Sequence, residues 1–259
     1  MAKSVALKRV IIPYAAIAEL SKADCYSLHL LGHIFNETMA LTKMMYAVQT
    51  KRDDSTEAET AAAVCQATLF CRILAGKIYE AQRRLNSKEI HAFLSTYCFP
   101  HVPDRIGPAL LSAFNSAASK CKWLNGARNG HAMHYPGVQH WEAGLKVLAE
   151  NNAGFEFVCG ELDGNMLYHS SDAMAGLAFF HEVDPGDWRT GAETMMNDLL
   201  QLGAHLGEFI QTALKSFISN AKDHDASSAK AVFEEALPSL DAPDFDQFEV
   251  PYFYSFNEA

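Results

Sequence analysis

The chain has 259 residues, 49% apolar and 20% charged, with a net charge of -10. That composition can bury a sizeable core, which excludes wholesale disorder and collagen-like structure. The absence of a G-x-x-x-x-G-K-[ST] loop, a G-x-S-x-G elbow and an H-E-x-x-H helix excludes the corresponding phosphate-loop, serine-hydrolase and zinc-protease chemistries.

After a short apolar opening from Val5 to Tyr14, the stretch Asp24 to Gln49 reads as a helix. Leu28, Leu31, Phe35, Met39, Thr42 and Tyr46 recur at helical spacing, with Asp24 as the N-cap. Asp54 with Glu57 and Thr56 with Glu59 both resemble capping boxes for a second long helix reaching about Asn86. Ser87 caps a short helix, and Pro100, Pro103 and Pro108 punctuate the connection that follows. Two further helices are predicted, Pro108 to Ala118 and Lys120 to Tyr135, the second closed by Pro136. Another covers Val138 to Glu150.

Near 154–170 the period changes: Phe155, Phe157 and Cys159 alternate, Asp163-Gly164 is a turn signal, and Met166 to His169 is the return strand of one small hairpin. Ser171 to Phe180 is helical again, and Thr190 with Glu193 marks the start of a long helix to about Asn220. A short helix from Ala229 to Leu237 then leads into a segment of acids, prolines and aromatics. The expected architecture is mainly α, a helical domain over residues 1–222 with one hairpin and an acidic, aromatic-rich C-terminal extension over 223–259. The six cysteines are scattered and form no C-x-x-C pair, so reduced, mostly buried thiols are expected. No window has the roughly 18 uninterrupted apolar residues of a membrane span, and the first ten residues lack a leader's apolar core, so a cytoplasmic protein without a membrane is expected.

Charge is distributed unevenly. The 37 residues from Arg105 to Trp141 contain no acid, where about four are expected by chance, and carry Arg105, Lys120, Lys122 and Arg128 beside His131, His134 and His140. The last 37 residues hold nine acids against Lys230 alone, a net -8. Overall acidity therefore does not count against an RNA partner, because it is concentrated away from a basic island.

Within the island, Lys120-Cys-Lys122-Trp-Leu-Asn-Gly126-Ala-Arg128-Asn129-Gly130-His131-Ala-Met-His134-Tyr135-Pro carries the chemistry. At 100° per residue, Arg128, His131 and Tyr135 share one stripe of a continuous helix, and His134 lies on the neighbouring stripe with Trp123, Ala127 and Gly130. The small residues Gly126, Ala127 and Gly130 allow close approach of another helix. An ion site from His131, His134 and His140 lacks an acid or cysteine nearby in sequence, so no metal is expected. His29 with His33 has similar spacing on a helix with an apolar stripe, where a structural role is the simpler reading.

Arg128-Asn129-Gly-His-Ala-Met-His134-Tyr135 resembles the R-polar-x(3 to 5)-H motif of the HEPN superfamily, with the resemblance in helix order covering about residues 24–150. The resemblance implies a metal-independent endoribonuclease, often a toxin or defence protein, in which two protomers bring their motifs together across a two-fold axis. Arg128 would then grip the scissile phosphate, His134 would act as general base or acid, and Asn129 would orient one of them. Attack by the 2′-hydroxyl would confine activity to RNA. His131, Tyr135, Lys120 and Lys122 are the candidate substrate-binding residues, and no cofactor is expected. The alternative is a non-catalytic helical protein that binds nucleotide, RNA or a protein partner. The acidic aromatic tail is a candidate for holding such a partner, or for docking against the body and limiting access to Arg128 and His134.

Overall fold

The computed structural model describes residues 3–48, 54–102, 106–132, 134–135, 137–222, 230–244 and 247–255. Arg105, Phe245 and Phe256 lie outside the described residues. The architecture is mainly α, with two small antiparallel ribbons. In chain order the elements are β1 (Lys3–Ile11), α1 (Tyr14–Ile17), α2 (Lys22–Ala47), α3 (Glu57–Leu85), α4 (Lys88–Phe93), α5 (Ile106–Lys120) and α6 (Trp123–Ala127). Then come α7 (Val138–Glu150), β2 (Val158–Cys159), β3 (Met166–Leu167), α8 (His169–Val183), α9 (Trp188–Lys222) and β4 (Phe233–Ala242). Residues 1–39, 80–120 and 202–244 form one compact unit, and 40–79, 121–201 and 245–259 form a second.

The helix starts follow from caps written in the sequence, with the cap three residues earlier than expected in two cases. Ser21, not Asp24, begins α2: its Oγ accepts from the Asp24 backbone N–H at 3.1 Å and donates to the Asp24 carboxylate at 2.7 Å. Asp24 is thus the third helical residue of a capping box rather than the cap itself. For α3 the Thr56–Glu59 box forms as expected, with Thr56 N–H donating to Glu59 Oε2 at 2.8 Å and Glu59 N–H to Thr56 Oγ1 at 3.2 Å. Ser87 caps α4. At α9 the cap is Asp187, whose carboxylate accepts from the Thr190 N–H and hydroxyl, so the helix starts one turn before the expected Thr190–Glu193 pair.

In the first unit, Leu85, Ile90, Phe93, Leu94, Phe114, Leu206, Phe209 and Ile210 are fully buried. Phe93 and Phe217 rings meet at 5.6 Å, and Tyr97 stands edge-on to Phe217 at 6.3 Å. A π-helical turn, Leu94–Cys98, follows α4, and the Cys98 carbonyl accepts from the Ser216 hydroxyl at 2.5 Å. That bond satisfies a buried backbone acceptor at the end of the helix.

The ribbon of this unit corrects the expected Ala229 to Leu237 helix. Residues Phe233–Ala242 are a strand, paired antiparallel with β1 from Lys3↔Ala242 to Ile11↔Phe233. The register shifts between Val5 and Leu7, opposite Pro238. Proline has no N–H for the ladder, which is why it falls at an irregularity. Lys8 pairs with Glu234, Arg9 with Glu235, and Lys222 also with Glu234. The two lysines hold the Glu234 carboxyl below its usual range.

In the second unit, Leu74, Ala75, Ile78, Phe179 and Leu199 are fully buried. The β2–β3 hairpin is confirmed but short, with Val158↔Leu167 and Cys159↔Met166 as its rungs. Tyr252 and Phe253 dock here against Ala62, Cys65 and Leu167, and the Tyr252 hydroxyl donates to the Met166 carbonyl at 2.8 Å. Asn165 clamps the Tyr254 backbone from both sides, at 2.6 and 2.9 Å. Among the described residues one helix, Glu57–Leu85, is long and apolar enough to cross a membrane, and 44% of its most apolar window is buried inside the protein. The six thiols are free, and Cys65, Cys71, Cys98 and Cys121 are buried.

Two glycines separate packing from propensity. Gly144 brings α7 onto α8, where a Cβ would lie 2.6 Å from the Met174 carbonyl oxygen, whereas a Cβ on Gly32 in α2 meets nothing within 4 Å. Ala is the better helix former by about 1 kcal/mol. Gly32→Ala should therefore raise the unfolding free energy by about 0.5–1 kcal/mol. Gly144→Ala should lower it by about 1–3 kcal/mol, because the backbone contact cannot give. Denaturant melts of the two variants check both signs.

Candidate nucleic-acid interface

The segment predicted as one helix from Lys120 to Tyr135 is broken into pieces. Helix α5 ends at Lys120, Cys121 and Lys122 turn the chain, α6 runs only from Trp123 to Ala127, and Arg128–Ala132 winds as a π turn. The wider turn invalidates the 100° phasing. Gly126 and Gly130, each costing about 1 kcal/mol of helix stability relative to Ala, sit in and beside it.

Both glycines are occupied notches. A Cβ on Gly126 would lie 2.6 Å from Glu182 Oε2, and one on Gly130 would lie 3.2 Å from His140 Nδ1. The α8 carboxylate and the α7 imidazole thus fill the space that side chains at 126 and 130 would take. Acid missing from the local sequence is supplied from other helices: Glu182 at the turn, and Asp198, whose Oδ2 accepts from Trp123 Nε1 at 2.9 Å. Burial together with Asp198 pushes the Cys121 thiol up to about 12.

The turn has two faces. Trp123, Leu124, Ala127, Gly130 and His131 face inward. Trp123 stands edge-on to Phe179 at 6.1 Å, and the His131 ring lies 5.5 Å from Phe179. The His131 side chain is 1% exposed, so this candidate substrate-binding residue is enclosed and cannot meet a substrate. Burial first, and then the neighbouring His140 and Arg72, lowers the His131 imidazole to about 4, so it is neutral at pH 7. Neither of its nitrogens has a hydrogen-bond partner.

The other face is open. Asn129 and His134 are exposed, Arg128 is half-buried, and Tyr135 is 102% exposed. Arg128 Nη1 donates to Asn129 Oδ1 at 2.8 Å, and Asn129 Nδ2 donates to Asn125 Oδ1 at 3.1 Å. His134 sits in a bend past the π turn, not in the core. Lys120 and Lys122 are both exposed. Met133 and Pro136 lie outside the described residues.

His131 Nε2 is 3.8 Å from Glu182 Oε1, and one donor each from His131, His140 and Glu182 lie within 4.8 Å of one another. The grouping differs from the three-histidine set considered from sequence. His134 is not in it, and Glu182 completes it from a helix forty residues downstream. Sequence spacing carried no signal for Glu182. The Gly126 and Gly130 notches were the only local hint that something approaches closely.

The Trp123–Asp198 bond ties α6 to α9 within this unit. Trp123→Phe should cost about 1–3 kcal/mol by removing one donor from a part-buried carboxylate. Adding Asp198→Ala should cost less than the sum of the two single changes, and the coupling is read from a double-mutant cycle of unfolding free energies. Comparison with protein-family models, with curated proteins and with solved structures finds no match for this chain.

Proposed function

We propose that this chain is a HEPN-like endoribonuclease that cleaves RNA as a two-fold dimer. The observation that supports the reading is the outward set on the turn: Arg128 braced by Asn129 and Asn125, with His134 exposed a few residues on. A guanidinium is a planar fork of donors, and bracing by a side-chain amide orients it, which suits the non-bridging oxygens of a phosphate. An exposed imidazole, which can both accept and donate a proton, suits transfer to and from the 2′-hydroxyl and the leaving 5′-oxygen.

In this mechanism His134 takes the 2′-hydroxyl proton as the oxygen attacks phosphorus. Arg128 meets the charge that develops on the phosphoryl oxygens. The P–O5′ bond breaks and His134 returns its proton to the leaving oxygen, leaving a 2′,3′-cyclic phosphate and a 5′-hydroxyl. No metal takes part in the chemical step. Tyr135, fully exposed beside the motif, is available to stack on a base, and Lys120 and Lys122 to attract the backbone. Because the motif lies on an open face, one copy encloses no phosphate. A second copy across a two-fold axis supplies the opposing wall, and Val138, 73% exposed, is available to that interface beside Tyr135.

The broken, π-wound form of the segment favours a second reading, in which the same face binds RNA without cutting it. Cleavage assays separate the two. The nuclease reading expects 2′,3′-cyclic ends, no cleavage of a substrate with 2′-deoxyribose at the scissile position, and a loss of at least about 100-fold in rate for Arg128→Ala and for His134→Ala with folding intact. Mixing the two inactive variants should restore part of the activity if Arg128 and His134 of opposite protomers serve one phosphate. Binding that depends on Arg128 with no product selects the second reading. Full activity in both variants overturns the proposal.

A further inference from the structure

The geometry points to a binding site for one divalent metal ion of the zinc class, held by His131, His140 and Glu182 on the inner face of the turn. It does not depend on the RNA reading, which concerns the opposite face.

Three independent features converge on this site. The donor set is two imidazoles and a carboxylate, the nitrogen–oxygen set of zinc sites with three protein ligands and an open fourth position for water. Second, the donor separations suit such an ion. Bonds of about 2.0–2.2 Å at tetrahedral angles put ligand atoms roughly 3.3–3.5 Å apart. The His131 Nε2 to Glu182 Oε1 separation is already 3.8 Å, and the group as a whole lies within 4.8 Å, so small side-chain rotations close it.

Third, His131 offers donors that the protein leaves unused. Its side chain is 1% exposed, and both ring nitrogens lack a hydrogen-bond partner. A buried polar atom without a partner is costly, and native structures normally supply one. Here Nε2 faces a carboxylate across a gap too long for a hydrogen bond. A metal ion between them satisfies the nitrogen and neutralises the acid together.

The sequence keeps the approach open. Gly126 leaves the space that Glu182 Oε2 takes, and Gly130 leaves the space beside His140 Nδ1. An ion here links the π turn to α7 and α8 at one point and fixes the backbone that carries Arg128 and His134. The Glu182 side chain is 35% exposed, which gives water a route to the open coordination position.

The test uses the full chain, stripped with a chelator, dialysed free of it and titrated with zinc(II) or cobalt(II) chloride. The expected result is one equivalent bound, a saturable rise in Tm, and the intense visible absorption of a four-coordinate cobalt site. Glu182→Gln, a near-isosteric change that keeps the fold, should weaken binding by at least about 10-fold, and His140→Ala by at least about 100-fold. Gly126→Ala, which removes no ligand but displaces the Glu182 carboxylate, should also weaken it. His134→Ala should leave the cobalt spectrum unchanged. Circular dichroism of each metal-free variant checks folding. The proposal is overturned if the wild-type chain binds no ion beyond background, or if Glu182→Gln and His140→Ala bind as tightly as wild type.

Discussion

Enclosing an imidazole with neither nitrogen bonded is expensive, and the second unit is arranged around that ring. His131 lies against Phe179 at 5.5 Å and edge-on to His140 at 6.2 Å, with a glycine on its N-terminal side. Apolar and aromatic walls on this scale remove water, which is why the ring stays neutral. The π turn at Arg128–Ala132 buries His131 while leaving Arg128 half-buried and Asn129 exposed. The division between inward and outward residues follows from that one enclosed side chain.

Close approach makes the enclosure possible. Gly126, Gly130 and Gly144 all stand where a neighbouring group occupies the space of a Cβ: the Glu182 carboxylate, the His140 ring and the Met174 carbonyl. Each lowers helix propensity locally. In return, α7 and α8 come near enough to place donors from three chain segments in one small volume. The charges elsewhere are settled nearby: Glu234 and Glu235 by Lys8, Arg9 and Lys222 in the ribbon, and Asp172 beside Arg72 in the second unit. Glu234 and Glu235 of β4 therefore have partners of their own, and Tyr252 and Phe253 pack against the core of the second unit.

Local signals in the sequence were dependable where the physics is local. Apolar spacing located α2, and the Thr56–Glu59 box and Ser87 marked the starts of α3 and α4 to the residue. Near-miss caps at Ser21 and Asp187 arose because several cap-forming residues compete within one turn. The failures share a different origin. Glu234, Glu235, Ala236 and Leu237 are strong helix formers, yet their backbone pairs with Leu7 to Val10 more than two hundred residues away, and no local propensity reports such a partner. Within the candidate site, Arg128, Asn129 and His134 were legible as a polar set. Their phase on a helix was not, because a π turn interrupts the period. Glu182 was invisible because its relation to His131 exists only after α8 folds back on the turn.

The central claim is that the turn from Arg128 to Ala132 is held from within by an ion and works from without. A crystal structure of the full chain grown with zinc, with anomalous diffraction collected on both sides of the zinc edge, tests it most directly. The account predicts a single strong peak about 2.0–2.2 Å from a nitrogen of His131, a nitrogen of His140 and an oxygen of Glu182, with Arg128, Asn129 and His134 on the opposite, solvent side. An edge-specific map with no peak there, or one showing zinc bound only by surface groups such as His134, would contradict it.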